Sequence, residues 1–133
     1  MRTITDETFQ QLIERALGEL PQEHIDNLDN VAITFAENPT SRQLQHQGVR
    51  RGALLLGLYE GIPLTKRLSS SYSGVLPDRI TLFKQPILTV STTDEELFEQ
   101  IKRTLWHEIA HHYGLSHDDI DKLENKTPKK EEK

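Results

Sequence analysis

The stretch TDEELFEQIKRTLWHEIAHHYGLSH, residues 93 to 117, decides how the rest of the chain is read. Its opening, Thr93-Asp94-Glu95-Glu96, has the spacing of a capping box, with Thr93 as N-cap and Glu96 reaching back to it. Apolar residues then recur at helical spacing as far as Tyr113, and Gly114 stands where a left-handed residue ends a helix. On the helical wheel Leu97, Phe98, Ile101, Leu105, Trp106, Ile109 and Tyr113 form the arc to be buried. His107 and His111 lie just outside that arc, on a flank shared with Gln100 and Thr104. His112 falls inside it and reads as a core histidine hydrogen-bonded to backbone, not as a ligand.

The flank carries the chemistry. His107 and His111 are one turn apart, so both imidazoles can reach one metal ion. Glu108 sits about 100° round from His107 and about 60° from His111, bordering the same site without competing directly as a ligand. That placement suits a carboxylate that takes a proton from metal-bound water and hands it on. His-Glu-x-x-His alone arises by accident in roughly a few in a thousand chains of this size. Gly114 and His117 at fixed offsets make the accident about a thousandfold rarer. A sharp turn at Gly114 returns the chain towards the helix, which makes His117 the candidate third ligand, with Asp118 and Asp121 as substitutes. The competing account is a surface helix that happens to be rich in histidine.

Working outward, Phe9, Leu12, Ile13, Ala16, Leu17 and Leu20 recur at helical spacing behind Asp6 and Glu7, and Pro21 ends that helix and starts a short second one. The period changes to two at Val31, Ile33 and Phe35, predicting a strand. Residues 40 to 52 read as a loop with one helical turn, Leu54 to Tyr59 as a second strand, and Leu68 to Gly74 as a Ser-rich connection. Ile80 to Phe83 predicts a third strand and Ile87 to Val90 a fourth. After the long helix comes a short amphipathic turn with Ile120 and Leu123. The expected architecture is α+β: one compact domain over residues 1–125, then a charged, disordered tail over 126–133.

Composition narrows the function. One domain is the expectation for 133 residues. The absence of cysteine excludes a disulfide framework, an iron–sulfur cluster, a thiolate zinc site and a cysteine nucleophile. Sixteen Lys and Arg against 21 Asp and Glu give a net charge of −5, which argues against general nucleic-acid binding. The longest apolar run, Ala53 to Leu56, is far too short for a membrane span. The opening MRTITDETFQ has neither a basic n-region nor an apolar h-region, so a soluble cytoplasmic protein is expected. His24 and His46 read as surface residues and Arg50-Arg51 as a solvated pair. Tyr59, Tyr72 and Tyr113 are each capable of polarising a substrate carbonyl, and Tyr72, on the Ser-rich loop, is the one placed to reach a cleft.

With these motifs in hand, the chain resembles the small bacterial zincin-like metallopeptidases, sometimes called minimal zincins. The likeness extends beyond the zinc motif. Residues 56 to 65 (LGLYEGIPLT) resemble that family's central strand and turn, and Tyr72-Ser73-Gly74 with residues 76 to 83 (LPDRITLF) resembles its next loop and strand. Similarity runs over about residues 5 to 124. It implies a small mixed sheet packed on a backing helix and an active-site helix, one Zn2+ on His107 and His111, and Glu108 as base. One departure stands out: the family usually has Asp where this chain has His117. The extended motif also looks like the metzincins, but their Met-turn needs a downstream methionine and the sole methionine here is Met1. With 16 residues after His117, the expected cleft has an upper wall and almost no floor, hence weak or narrow activity.

The leading expectation is a zinc-dependent peptidase acting on a peptide or protein laid beside an edge strand, taken as Ile80 to Phe83, with Thr81 and Tyr72 as substrate-binding candidates. A non-catalytic zinc protein, or one whose cleft a protein partner completes, is the main rival; Glu108 argues against it, because a structural site has no use for a base beside the metal. The spacing His-x3-His-x5-His also resembles zinc-dependent endoribonucleases of rRNA maturation, but those lack Glu after the first His and carry a basic surface.

Overall fold

Short segments of period-two hydrophobicity build the sheet on which the site rests. The computed structural model describes residues 3–28, 30–46, 54–61 and 77–114. Among the described residues three strands, β1 (Val31–Ala36), β2 (Gly57–Glu60) and β3 (Asp78–Phe83), lie in the order β1-β3-β2. β1 runs parallel to β3 and β2 antiparallel to it, so the sheet is mixed, as expected. Val31, Ile33 and Phe35 share a face with Ile80 and Leu82, and this face is turned to the helices. β2 begins three residues later than the pattern from Leu54 predicted.

α1 (Asp6–Glu19) starts at Thr5, whose hydroxyl accepts the Thr8 N–H at 3.0 Å. It buries Phe9, Ile13 and Ala16, and Phe9 meets Phe35 edge-on with ring centroids 5.1 Å apart. Pro21 is the N-cap of α2 (Gln22–Asp26), and the Gln22 amide donates back to the carbonyls of Leu17 and Leu20 at the end of α1. α3 (Ser41–His46) is the helical turn expected between residues 40 and 52.

The fourth strand does not form. Ile87 belongs instead to α4 (Lys84–Thr89), which follows β3 directly. Pro86 supplies the reason: it has no N–H to give a strand ladder, but in the first turn of a helix that N–H has no partner anyway. The turn is held by the nearly buried Lys84, whose ammonium donates to Asp6 at 2.9 Å and lies 3.5 Å from Glu37, and by the Ser91 hydroxyl on the Ile87 carbonyl.

α5 (Asp94–His112) is the long helix read from residues 93 to 113. The Thr93 hydroxyl accepts the Glu96 N–H at 3.0 Å, while the Glu96 carboxylate reaches one residue further back than expected, to the N–H and hydroxyl of Thr92. Gly114 has φ +86° and donates to the His111 carbonyl, the left-handed end expected of it. Leu97, Ile101, Leu105 and Ile109 are buried with Phe9, Ile80 and Leu82 between α1, α5 and the sheet. Trp106 and Tyr113, expected in the same arc, are half-buried at its margin. The Ser-rich connection, Arg50-Arg51, the turn with Ile120 and Leu123, and the tail from 126 lie outside the described residues.

β2 comes unusually close to α5 at Gly57. A Cβ there would stand 2.6 Å from Thr104 Cγ2, 3.3 Å from Leu82 Cδ2 and 3.4 Å from Glu108 Cγ. Thr104 cannot easily turn aside, being β-branched in a helix, buried, and hydrogen-bonded from Gln100. Gly57→Ala is therefore expected to destabilise the protein by about 1–3 kcal/mol, and adding Thr104→Ser to restore most of the loss. Urea denaturation of the single and double variants checks this; an additive second loss would show that the clash lies elsewhere.

Candidate metal centre

The Phe83 N–H donates to the Leu56 carbonyl at 2.9 Å, which sets the phase of the β2–β3 ladder. Leu58 and Glu60 accordingly turn their backbone groups towards β3, and Gly57 and Tyr59 turn theirs outward, off the other edge of β2. α5 packs against β2 on that side, and the outward Tyr59 N–H is donated to the carboxylate of Glu108.

That carboxylate is only 8% exposed. His107 and His111 beside it are half-buried, with ring centroids 4.8 Å apart and planes at 81°. The ligand atoms of His107, Glu108 and His111 all lie within 4.8 Å of one another, so among the described residues this group can hold a metal ion. Its donor chemistry fits zinc, with two imidazoles on one flank and a carboxylate close by, though cobalt and nickel would suit the same nitrogens. Glu108, expected at the border of the site, is buried there, with β2 lying over it. In the metal-free protein this burial pushes the Glu108 carboxyl up to about 7, against the smaller opposing pull of the Tyr59 N–H.

His112 is a core histidine, fully buried, as expected, and its Nδ1 faces a carboxylate, 3.2 Å from Asp78 Oδ2. Other sequence candidates are placed differently from expectation. His24 is not a plain surface residue; it is half-buried, its ring 5.3 Å from Trp106 and 5.6 Å from Tyr113. The Tyr113 hydroxyl donates to the His24 carbonyl and the Tyr59 hydroxyl to Asp78, so both phenols are engaged in holding the fold. β3, expected as the edge for a substrate, is the central strand, because β1 and β2 pair with its two sides. Thr81 is buried on the face of β3 opposite Ile80 and Leu82, turned away from α5, which removes the reason for assigning it a substrate contact. Tyr72, His117, Asp118 and Asp121 lie outside the described residues, as does the side chain of His46. Sequence reasoning overlooked Gly57 and Asp78; only the glycine left a trace, as a strand position without a side chain.

The raised Glu108 pKa has a consequence for stability. Between about pH 4.5 and 7 the metal-free folded protein holds a proton at Glu108 that the unfolded chain has released, so stability falls as pH rises through that window. The whole effect is on the order of 3 kcal/mol at most. Glu108→Gln has no such proton to lose, so urea denaturation of metal-free protein should show the wild type weakening relative to the variant between pH 5 and pH 7.5. Parallel pH dependence in the two proteins would contradict the assignment.

Comparison with known proteins agrees with this geometry. The family model described as zincin-like metallopeptidase matches residues 28–127, which takes in β1 to β3 and the whole of α5. Among solved structures, a conserved hypothetical protein from T. thermophilus superposes with a TM-score of 0.55 and 25% identity, covering 83% of this chain and 94% of its own. No curated protein matches the chain. A mixed sheet laid over a helix that carries two imidazoles and a buried carboxylate, together with a match over most of the sequence, gives one conclusion: the chain belongs to the zincin-like metallopeptidase family.

Proposed function

We propose that the protein is a zinc-dependent peptidase in which His107 and His111 hold one Zn2+ and Glu108 is the general base. The observation that carries the proposal is the position of Glu108, buried under the edge of β2 yet within 4.8 Å of the ligand nitrogens of both histidines. A carboxylate serving only the fold would gain nothing from burial beside two imidazoles, and a structural zinc site has no need of it. His117, or Asp118 or Asp121, is proposed as the third ligand, and Tyr72 as a residue that contacts the substrate.

Zinc bound here would supply Lewis acidity and ease the deprotonation of nearby water. The remaining work falls to the chain's own groups. An extended peptide would lie along the outward edge of β2, where the Gly57 N–H and the carbonyls of Gly57 and Tyr59 point away from β3. Water adds to the scissile carbonyl carbon while Glu108 takes its proton; the same carboxyl then gives that proton to the departing amine nitrogen as the C–N bond breaks. The Tyr59 N–H donated to Glu108 holds the carboxylate at the strand edge during both transfers.

The test is a degenerate peptide library incubated with zinc-loaded protein and read by mass spectrometry. Wild type is expected to cut, and Glu108→Gln to bind zinc with similar affinity while losing at least about a hundredfold in cleavage. Cleavage that survives in Glu108→Gln would remove Glu108 from the role of base. No cleavage by a fully loaded wild type would favour a binding function instead.

A further inference from the structure

A second polar cluster lies beyond the metal centre, at the end of α5. Asp78, the first residue of β3, is 1% exposed. Its Oδ2 accepts the Tyr59 hydroxyl at 2.5 Å and faces His112 Nδ1 at 3.2 Å, and the Tyr59 ring stands edge-on to the imidazole, 5.7 Å away. Gly61 closes over the carboxylate, since a Cβ there would fall 2.3 Å from Asp78 Cγ and Oδ1. One carboxylate thus ties together β2, β3 and α5. Burying it is costly, and apolar side chains of similar volume would join three elements at no such cost.

Tyr59 and His112 each lead from Asp78 to Glu108. Tyr59 is held by its phenol at Asp78 and donates its backbone N–H to the Glu108 carboxylate. His112 lies one turn after Glu108 on the same side of α5 and directly follows His111. The path from Asp78 through Tyr59 to Glu108, down one helical turn to His112 and back to Asp78 is closed.

We propose that Asp78 is a positioning residue for Glu108: by holding Tyr59 and His112 together it sets the distance between the outer edge of β2 and the turn of α5 that carries the base. The proposal deepens the reading of Glu108 as base and rests on it. In this reading Asp78 acts through Tyr59 and His112, which its carboxylate engages directly.

Tyr59→Phe tests this with least disturbance, because it removes one oxygen and keeps the ring and the backbone N–H. Wild type, Tyr59→Phe, Glu108→Gln and the double variant are loaded with Co2+, and their visible absorption, which reports the metal's surroundings, is compared alongside thermal melts. Tyr59→Phe is expected to change the cobalt bands in the wild-type background and to leave them unchanged when Glu108 is already Gln. On any peptide that the wild type cuts, kcat should fall about 10- to 100-fold with KM within about twofold. A purely structural tie would lower the melting temperature in both backgrounds and leave the cobalt bands alone; that result, or the same band change in both backgrounds, would overturn the proposal. Should the wild type cut nothing, the base assignment fails while the cobalt comparison still decides whether the Asp78 tie controls Glu108.

Discussion

A carboxylate that is nine-tenths buried beside two imidazoles has to be held there by neighbouring backbone, and the spacing between β2 and α5 does this. That spacing depends on the missing side chain at Gly57, which lets the strand settle against Thr104 and the stem of Glu108. Settling β2 at that distance covers Glu108 and aims the outward Tyr59 N–H at its carboxylate. It also leaves the edge of β2 running past the imidazoles. With the strand farther away, Glu108 would be a solvated side chain on a helix flank.

α5 serves two purposes on adjacent sides. Leu97, Ile101, Leu105 and Ile109 face α1 and the sheet, anchoring the helix with most of its buried apolar surface. His107 and His111, half-buried, stand on the neighbouring flank where a metal and a substrate have access. Between them runs a row of polar but covered residues, Thr104, Glu108 and His112, spaced four apart and lying under β2. The row borders both regions: its members are desolvated like core residues, yet each has a specific polar neighbour. Buried polar groups cost stability unless paired, and these three are paired with Gln100, the Tyr59 N–H and Asp78.

The same logic separates two polar ties among the described residues, one at Lys84 and one at Asp78. Lys84, pointing to Asp6 and Glu37, joins α1 to the β3–α4 corner at the far end of the sheet, with its carboxylate partners largely in solvent. Such a pair contributes modestly and is screened by salt. Asp78 is shut off from solvent, so its polar partners are obligatory, and removing one leaves a buried polar atom unmatched. For this reason the Asp78 cluster can fix geometry where the Lys84 cluster mainly fastens an end.

Much of this was legible in the chain. Period 3.6 from Leu97 to Ile109, the cap at Thr93, the stop at Gly114 and the alternation at Val31 to Phe35 are local signals, written in consecutive residues, and each produced the element expected. His107 and His111 were equally plain, since helical geometry alone puts them on one flank. Other features were decided by residues distant in sequence. Ile87 to Val90 looked like a strand because short apolar runs do not distinguish strand from helix, and Pro86 was what turned them into α4. Which strand forms the edge beside the helix depends on pairing order, and no local pattern shows that β3 lies between β1 and β2. Asp78, Tyr59 and His112 belong to three elements up to 53 residues apart, so only the packed structure could show that a single carboxylate joins them and that the path leads to Glu108.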